Sequence, residues 1–146
     1  MKKSISAKQT REILKTQWPE LKYIWGFDKR FTLFSSAEIE NILKEVTEII
    51  NEVSEKYFGK KMIFSDEKFD CDDFALVTNA FVKLQIAAME LLHNGAIGEV
   101  SMIYPTKVIH NQNIFITDDL KVKLYEPQAA KIIEPGQGES IFYVRM

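Results

Sequence analysis

The heptapeptide Phe69-Asp70-Cys71-Asp72-Asp73-Phe74-Ala75 joins a polar stretch to the longest apolar stretch of this 146-residue chain. Aspartate is a preferred N-cap residue, so the pattern predicts a helix over about residues 72–93, with Asp70 as its cap and Cys71 at its start. Apolar side chains fall on nearly every face of that helix. It is therefore predicted to lie buried in the middle of the fold.

Two further helices and four strands are predicted around this helix. Each of the two helices opens on a capping box: residues 6–15 with Ser6 and Gln9, and residues 35–57 with Ser35 and Glu38. Strand-forming runs cover residues 96–104, 108–117, 120–125 and 140–144. Helices followed by strands indicate an α+β fold, in which the buried helix packs on a C-terminal antiparallel sheet. We expect a single domain over residues 1–146.

The segment 18–34 is crowded with aromatic side chains and follows neither helix nor strand periodicity. The general tendency of aromatic residues to be buried predicts a loop that packs them onto the core. The alternative is that this segment forms one wall of a substrate groove.

The composition is that of a globular domain, with 46% hydrophobic and 27% charged residues. A formal net charge of -2 gives no basic field for nucleic acid or anionic membrane, and no run approaches the roughly 18 apolar residues of a membrane span. A single cysteine cannot form an internal disulfide, which fits a reducing compartment. We therefore expect a cytoplasmic protein, or a virion-associated one if a phage encodes it.

Cys71 is a candidate nucleophile because of its place at a helix start. A helix N-terminus carries unpaired backbone N–H groups and about half a positive charge. That environment favours a thiolate, and the same N–H groups can hold a developing oxyanion. A lone cysteine is more often a small buried apolar residue, but the acidic residues on both sides of Cys71 argue against a buried structural thiol.

The acidic residues around Cys71 also disfavour a thiolate, because like charge raises a thiol pKa. Either His110 compensates as an imidazolium, or a divalent cation neutralises the cluster. Oxygen-rich clusters suit calcium, and the candidate ligands are Asp72, Asp73, Glu67 and Asp70. Alternatively, the acids of the first turn only complement the helix dipole.

His110 and Glu126 are expected to meet in a hairpin. With its turn at Asp118-Asp119, the hairpin places His110 opposite Glu126, Pro127 or Gln128, and opposed side chains lie about 5 Å apart at Cβ. Glu126 can then bond one ring nitrogen of His110 and leave the other for Cys71. The alternative is an ordinary strand-end histidine and a solvated glutamate.

Three motifs in this order resemble a known family: Asp-Cys-Asp-Asp-Phe-Ala at 70–75, His110 before an apolar strand, and Leu-Tyr-Glu-Pro-Gln at 124–128. They are similar to the papain-like cysteine protease domains of the Marasmius oreades agglutinin C-terminal type, which have relatives in bacteria and phages. The resemblance extends over about residues 23–128.

The resemblance implies a papain-like fold and calcium-dependent proteolysis of a peptide or protein substrate. By position, it implies that Cys71 is the nucleophile, His110 the base and Glu126 the carboxylate that orients the base. It further implies that Asp72 and Asp73 help to bind calcium, with Glu67 or Asp70 as additional ligands.

The expected function is therefore that of a hydrolase, a cysteine peptidase or amidase that cleaves amide bonds by acyl transfer through Cys71. One alternative is a non-catalytic papain-like module, either a phage or virion component or a binding module. Another is a transglutaminase-like acyl transferase, which uses the same triad with an amine as acceptor. The reactivity of the Cys71 thiol separates the first two hypotheses, and the acceptor separates the third from the first.

Overall fold

The computed structural model describes residues 2–26, 28–61, 70–136 and 139–146. In this part of the chain the helices are α1 (Ala7–Gln17), α2 (Ser36–Phe58) and α3 (Cys71–Ala88). The strands are β1 (Ser4–Ser6), β2 (Tyr23–Trp25), β3 (Arg30–Thr32), β4 (Ile97–Ile103), β5 (Ile109–Ile116), β6 (Val122–Glu126), β7 (Lys131–Ile133) and β8 (Ser140–Arg145). The predicted α+β class is confirmed.

Local side-chain chemistry sets where the helices begin. The predicted capping boxes of α1 and α2 are both present, with Ser6 and Ser35 as the N-caps. Helix α2 stops at Gly59, whose φ of 70° lies in the left-handed region that glycine tolerates. Asp70 caps α3, so Cys71 occupies the first helical position as predicted.

Helix α3 ends at Ala88, well before the predicted residue 93. Glu90 has a φ of 53°, and the carbonyls of His93 and Asn94 accept hydrogen bonds from Thr32 at 2.9 and 2.7 Å. These tertiary bonds hold residues 93 and 94 against β3 rather than in α3. The predicted burial of α3 on all sides is also wrong, because Leu84 is 66% exposed.

The main sheet has six strands in the order β2-β8-β4-β5-β6-β7. Strand β2 runs parallel to β8, and the other neighbours are antiparallel, so the sheet is mixed rather than antiparallel as predicted. The parallel strand comes from the segment 18–34, for which the sequence predicts a loop. Strands β1 and β3 form a separate antiparallel pair.

Strand alternation distributes the side chains of the sheet between two cores. On one face, Ile114 belongs to a core that includes Leu14 of α1 and the nearby Trp18. On the other face, Phe115 belongs to a core with Val46 of α2 and Val82 of α3. The sheet therefore lies between α1 and the α2–α3 pair. In the described ranges, no helix combines the length and the apolar character needed to cross a membrane.

Gly98 of β4 lies where this strand approaches the backbone of Arg145. A Cβ atom at Gly98 would come within 2.0 Å of the Arg145 carbonyl oxygen, so a side chain there would push β4 and β8 apart. We expect Gly98→Ala to lower the free energy of unfolding by about 1–3 kcal/mol, the usual cost of overpacking. Denaturant titration measures this loss.

Gly26→Ala is the matched control, because its new Cβ would have its nearest neighbour at an ordinary 3.7 Å. Equal losses in the two variants would contradict the expected steric conflict at Gly98.

Candidate functional site

The β5–β6 hairpin brings His110 and Glu126 together. Asn113 pairs with Tyr125, so extending the register places Gln112 opposite Glu126, with His110 two residues further along the same face. Oε2 of Glu126 is hydrogen-bonded to Nε2 of His110 and accepts a second bond from Nε2 of Gln112 at 2.9 Å. The expected contact therefore forms on a diagonal.

Burial and hydrogen bonding act in opposite directions on the pKa of Glu126. Burial disfavours the charged form of Glu126, but the hydrogen bonds from His110 and Gln112 outweigh it and lower the pKa of Glu126. The Tyr104 hydroxyl donates to Oε1 of Gln112 at 3.4 Å, and its ring centroid lies 6.1 Å from that of His110. Burial, with the nearby charges of Glu139 and Glu126, raises the pKa of Tyr104.

Cys71 contacts the side chain of Asn111, the residue after His110 in β5. Its Sγ is 4.0 Å from Nδ2 of Asn111, whose side chain is also hydrogen-bonded to Ser101. Neighbouring residues of a strand point to opposite faces, so the side chains of His110 and Asn111 diverge. Cys71 and His110 both lie in the described part of the chain, and no hydrogen bond joins them.

The structure thus brings together two of the three residues for which catalytic roles were predicted. A general base must come within about 2.6–3.2 Å of the group it deprotonates, or reach it through one water. The Nε2 atom of His110 is hydrogen-bonded to Glu126, and the described residues give His110 no hydrogen bond to Cys71. The roles of Cys71, His110 and Glu126 in catalysis stay predictions.

The acidic cluster at the start of α3 provides a partial metal site. Asp70, Cys71 and Asp72 each place one ligand atom within 4.8 Å of the others, whereas the Asp73 carboxylate accepts a hydrogen bond from the Asp70 backbone in the capping box. A hydrogen bond between the two carboxyl groups lowers the pKa of Asp70 and raises that of Asp72. Glu67 lies outside the described residues.

Calcium takes about six to eight oxygen ligands. The described cluster offers two carboxylates and one sulfur, so its donors fit calcium only in part. Calcium binding at this cluster stays a prediction.

A buried layer of polar side chains lies between α3 and the sheet, and the sequence did not predict it. The Glu99 side chain is only 7% exposed and accepts hydrogen bonds from Asn79 at 2.7 Å and Arg145 at 2.6 Å. Asn113 donates to the Ala75 carbonyl at 2.8 Å. The available signal was the run Asn111-Gln112-Asn113 inside a predicted strand, because buried polar side chains require partners.

Two solved structures share this fold. Each has a TM-score of 0.74 and 17% identity over 98% of this chain. One is a PSL1a–E64 complex, and the other is Polyporus squamosus lectin bound to the human-type influenza-binding epitope Neu5Acα2-6Galβ1-4GlcNAc. The chain spans about half the length of these proteins, 51% and 49% respectively. No family model and no curated protein sequence matches it.

These likenesses correct the assignment to the papain-like cysteine proteases. The structural neighbours are a fungal lectin, in one structure bound to a sialylated sugar epitope. The expectations of a cysteine peptidase and of a peptide or protein substrate are therefore wrong. The motifs that suggested them are a helix cap and a hairpin, which describe local structure.

We expect Glu126→Gln to lower the free energy of unfolding by about 1–2 kcal/mol near neutral pH, because a charged hydrogen-bond acceptor is lost. The pKa of Glu126 is lowered in the folded state, so its ionised form stabilises the fold above the unfolded pKa of about 4.3. That contribution is lost as the pH falls through the folded pKa. Denaturant titrations at several pH values should show the wild-type advantage shrinking in acid.

Glu20→Gln is the control for this pH series, because Glu20 is exposed on the surface. An advantage of wild type over Glu126→Gln that stays constant into strong acid would contradict the expected role of the Glu126 charge.

The calcium prediction is tested by isothermal titration calorimetry with calcium chloride. If the cluster binds the ion, the wild type gives a saturable heat that Asp72→Ala lacks and that the exposed-site control Glu20→Ala retains. Identical titrations of wild type and Asp72→Ala would remove calcium from this site.

Proposed function

We propose that this chain is a non-catalytic binding module whose ligand is a carbohydrate. The observation that carries the non-catalytic part is the divergence of Cys71 and His110 to opposite sides of β5. A thiol nucleophile is ordinarily activated by a base within hydrogen-bond reach. Here the polar neighbour of the Cys71 sulfur is the side-chain amide of Asn111, and no hydrogen bond among the described residues joins the sulfur to the ring of His110.

The His110 cluster supports a structural role for the histidine. Glu126 accepts hydrogen bonds from His110, Gln112 and the backbone N–H of Gln128. A carboxylate with three donors is well satisfied, and the network ties the chain beyond β6 back to β5. The proposal does not require the papain-like arrangement of Cys71, His110 and Glu126 as a catalytic triad.

The ligand class is supported by the likeness to Polyporus squamosus lectin. That lectin is bound to the epitope Neu5Acα2-6Galβ1-4GlcNAc in one of the two similar structures. This chain spans about half of the lectin. Carbohydrate binding is therefore proposed for this chain from a likeness to part of that protein.

Isothermal titration calorimetry with Neu5Acα2-6Galβ1-4GlcNAc and with Galβ1-4GlcNAc tests the proposed ligand class. We expect saturable binding of at least one of the two sugars. Cys71→Ser is the matched control and should bind with the same affinity, because the proposal gives the thiol no part in binding. Absence of binding to either sugar and to a wider glycan array would overturn the proposed function.

The non-catalytic part is tested with E64, the compound in complex with PSL1a in the other similar structure. We expect the intact mass of the wild type to stay unchanged after incubation with E64, and a library of fluorogenic peptides to stay uncleaved. A mass increase that is absent in Cys71→Ser, together with peptide cleavage, would show a working nucleophile and overturn this part.

A further inference from the structure

We propose that Asn94 is a site of spontaneous covalent modification, at which the side-chain amide is converted to a carboxylate through a cyclic imide formed with the backbone of Gly95. The site lies in the connection between α3, which ends at Ala88, and β4, which begins at Ile97. Of the six asparagines in the sequence, Asn94 is the one followed by glycine. The site does not depend on the ligand proposed for this chain.

Packing against the core requires a glycine at position 95. The residue is buried, and a Cβ atom there would lie 2.6 Å from Cδ1 of Ile86 and 3.3 Å from Cε2 of Phe34. Because glycine has no Cβ and a wide range of backbone angles, its backbone nitrogen is open to approach by the side chain of Asn94. The core therefore maintains the pair of residues that makes the reaction possible.

The nucleophile is the nitrogen of the peptide bond between Asn94 and Gly95 after it has lost its proton. Its negative charge is shared with the Asn94 carbonyl oxygen, because the peptide group is a resonance system. That oxygen accepts a hydrogen bond from the backbone N–H of Thr32 at 2.7 Å, and a hydrogen bond to the charged form of a group favours that form. The described residues offer the Gly95 N–H no acceptor, so its proton is removed without the loss of a hydrogen bond.

The side chain of Asn94 lies at the surface, where water and a base can reach it. It is exposed, and its Nδ2 donates to Oδ2 of Asp28 at 3.1 Å. An ionised carboxylate only accepts hydrogen bonds, so this contact identifies the end of the amide that carries its hydrogens. The amide nitrogen, which is the leaving group, therefore faces Asp28 and solvent.

The reaction balances with water and hydroxide as its only co-reactants. Hydroxide removes the proton of the Gly95 N–H, and the nitrogen forms a bond to Cγ of Asn94. The bond from Cγ to Nδ2 breaks, and the amide nitrogen takes a proton from water and leaves as ammonia. Water then opens the imide ring. Cleavage at the Cγ carbonyl gives aspartate, whereas cleavage at the original backbone carbonyl gives isoaspartate, in which the chain continues through Cγ.

The modification weakens the attachment of this connection to β3. Thr32 holds two consecutive carbonyl groups, that of His93 through its hydroxyl at 2.9 Å and that of Asn94 through its N–H. Isoaspartate inserts a methylene group between these two carbonyls, so the two bonds to Thr32 no longer fit together. Either product also replaces the donor to Asp28 with a carboxylate, and like charges repel.

Site-resolved mass spectrometry of the folded protein tests the modification. After incubation in mildly alkaline buffer, we expect the peptide that contains Asn94 to lose its amide and to separate into aspartate and isoaspartate forms. Asn41 is the internal reference, because it is exposed on α2 and followed by the branched Ile42, which crowds the attacking nitrogen. It should keep its amide over the same time. Asn94→Gln is the control variant and should stay unmodified, because its longer side chain must close a larger ring.

A charge exchange tests the effect on stability. Asn94→Asp reproduces the aspartate product, and we expect its thermal-unfolding midpoint to fall below that of the wild type because the new carboxylate faces Asp28. Adding Asp28→Asn to this variant restores a donor opposite the carboxylate and should recover most of the loss. Asp28→Asn alone separates this recovery from any stabilisation by the second substitution itself.

Three results of the mass spectrometry would overturn the proposed modification. The first is amide loss at equal rates from Asn94 and Asn41. The second is a product at Asn94 without isoaspartate, since direct hydrolysis of the side chain does not use the Gly95 nitrogen. The third is amide loss from Asn94 only after unfolding in urea. An unchanged midpoint in Asn94→Asp, or a loss that Asp28→Asn does not recover, would overturn the assigned contact between the new carboxylate and Asp28.

Discussion

The buried carboxylate of Glu99 determines how α3 meets the sheet. Asn79 of the helix and Arg145 of β8 both bond to it, and a buried charge that loses one partner typically costs about 3–5 kcal/mol. These bonds therefore favour one position of α3 over the sheet, whereas apolar packing alone tolerates several. The orientation of the Arg145 guanidinium follows from the same bond to Glu99.

Much of the local structure could be predicted from the sequence because its causes are local. Ser6, Ser35 and Asp70 cap their helices through side chains only two or three residues away. The β5–β6 hairpin has a short turn, so the proximity of His110 and Glu126 also followed from nearby sequence.

The remaining features depend on partners that are distant in sequence. Strand β2 is three residues long and exists through its pairing with β8, and no periodicity in so short a segment indicates a strand. Beyond the end of α3, the carbonyl groups of His93 and Asn94 are bonded to Thr32, which is far away in the sequence. The distance between Cys71 and His110 depends on which face of β5 packs against α3. Apolar packing and the hydrogen bonds of Glu99 determine that face.

Strand β5 also has a consequence for how this protein can change through evolution. Its even-numbered residues His110 and Gln112 both bond to Glu126, whereas its odd-numbered residues Asn111 and Asn113 bond to Cys71 and to the Ala75 carbonyl of α3. Because the two pairs of side chains point to opposite faces of β5, point mutations can replace one pair while the hydrogen bonds of the other pair continue to hold the strand in place. A single scaffold can in this way lose one role, or acquire another, without passing through an unfolded ancestor.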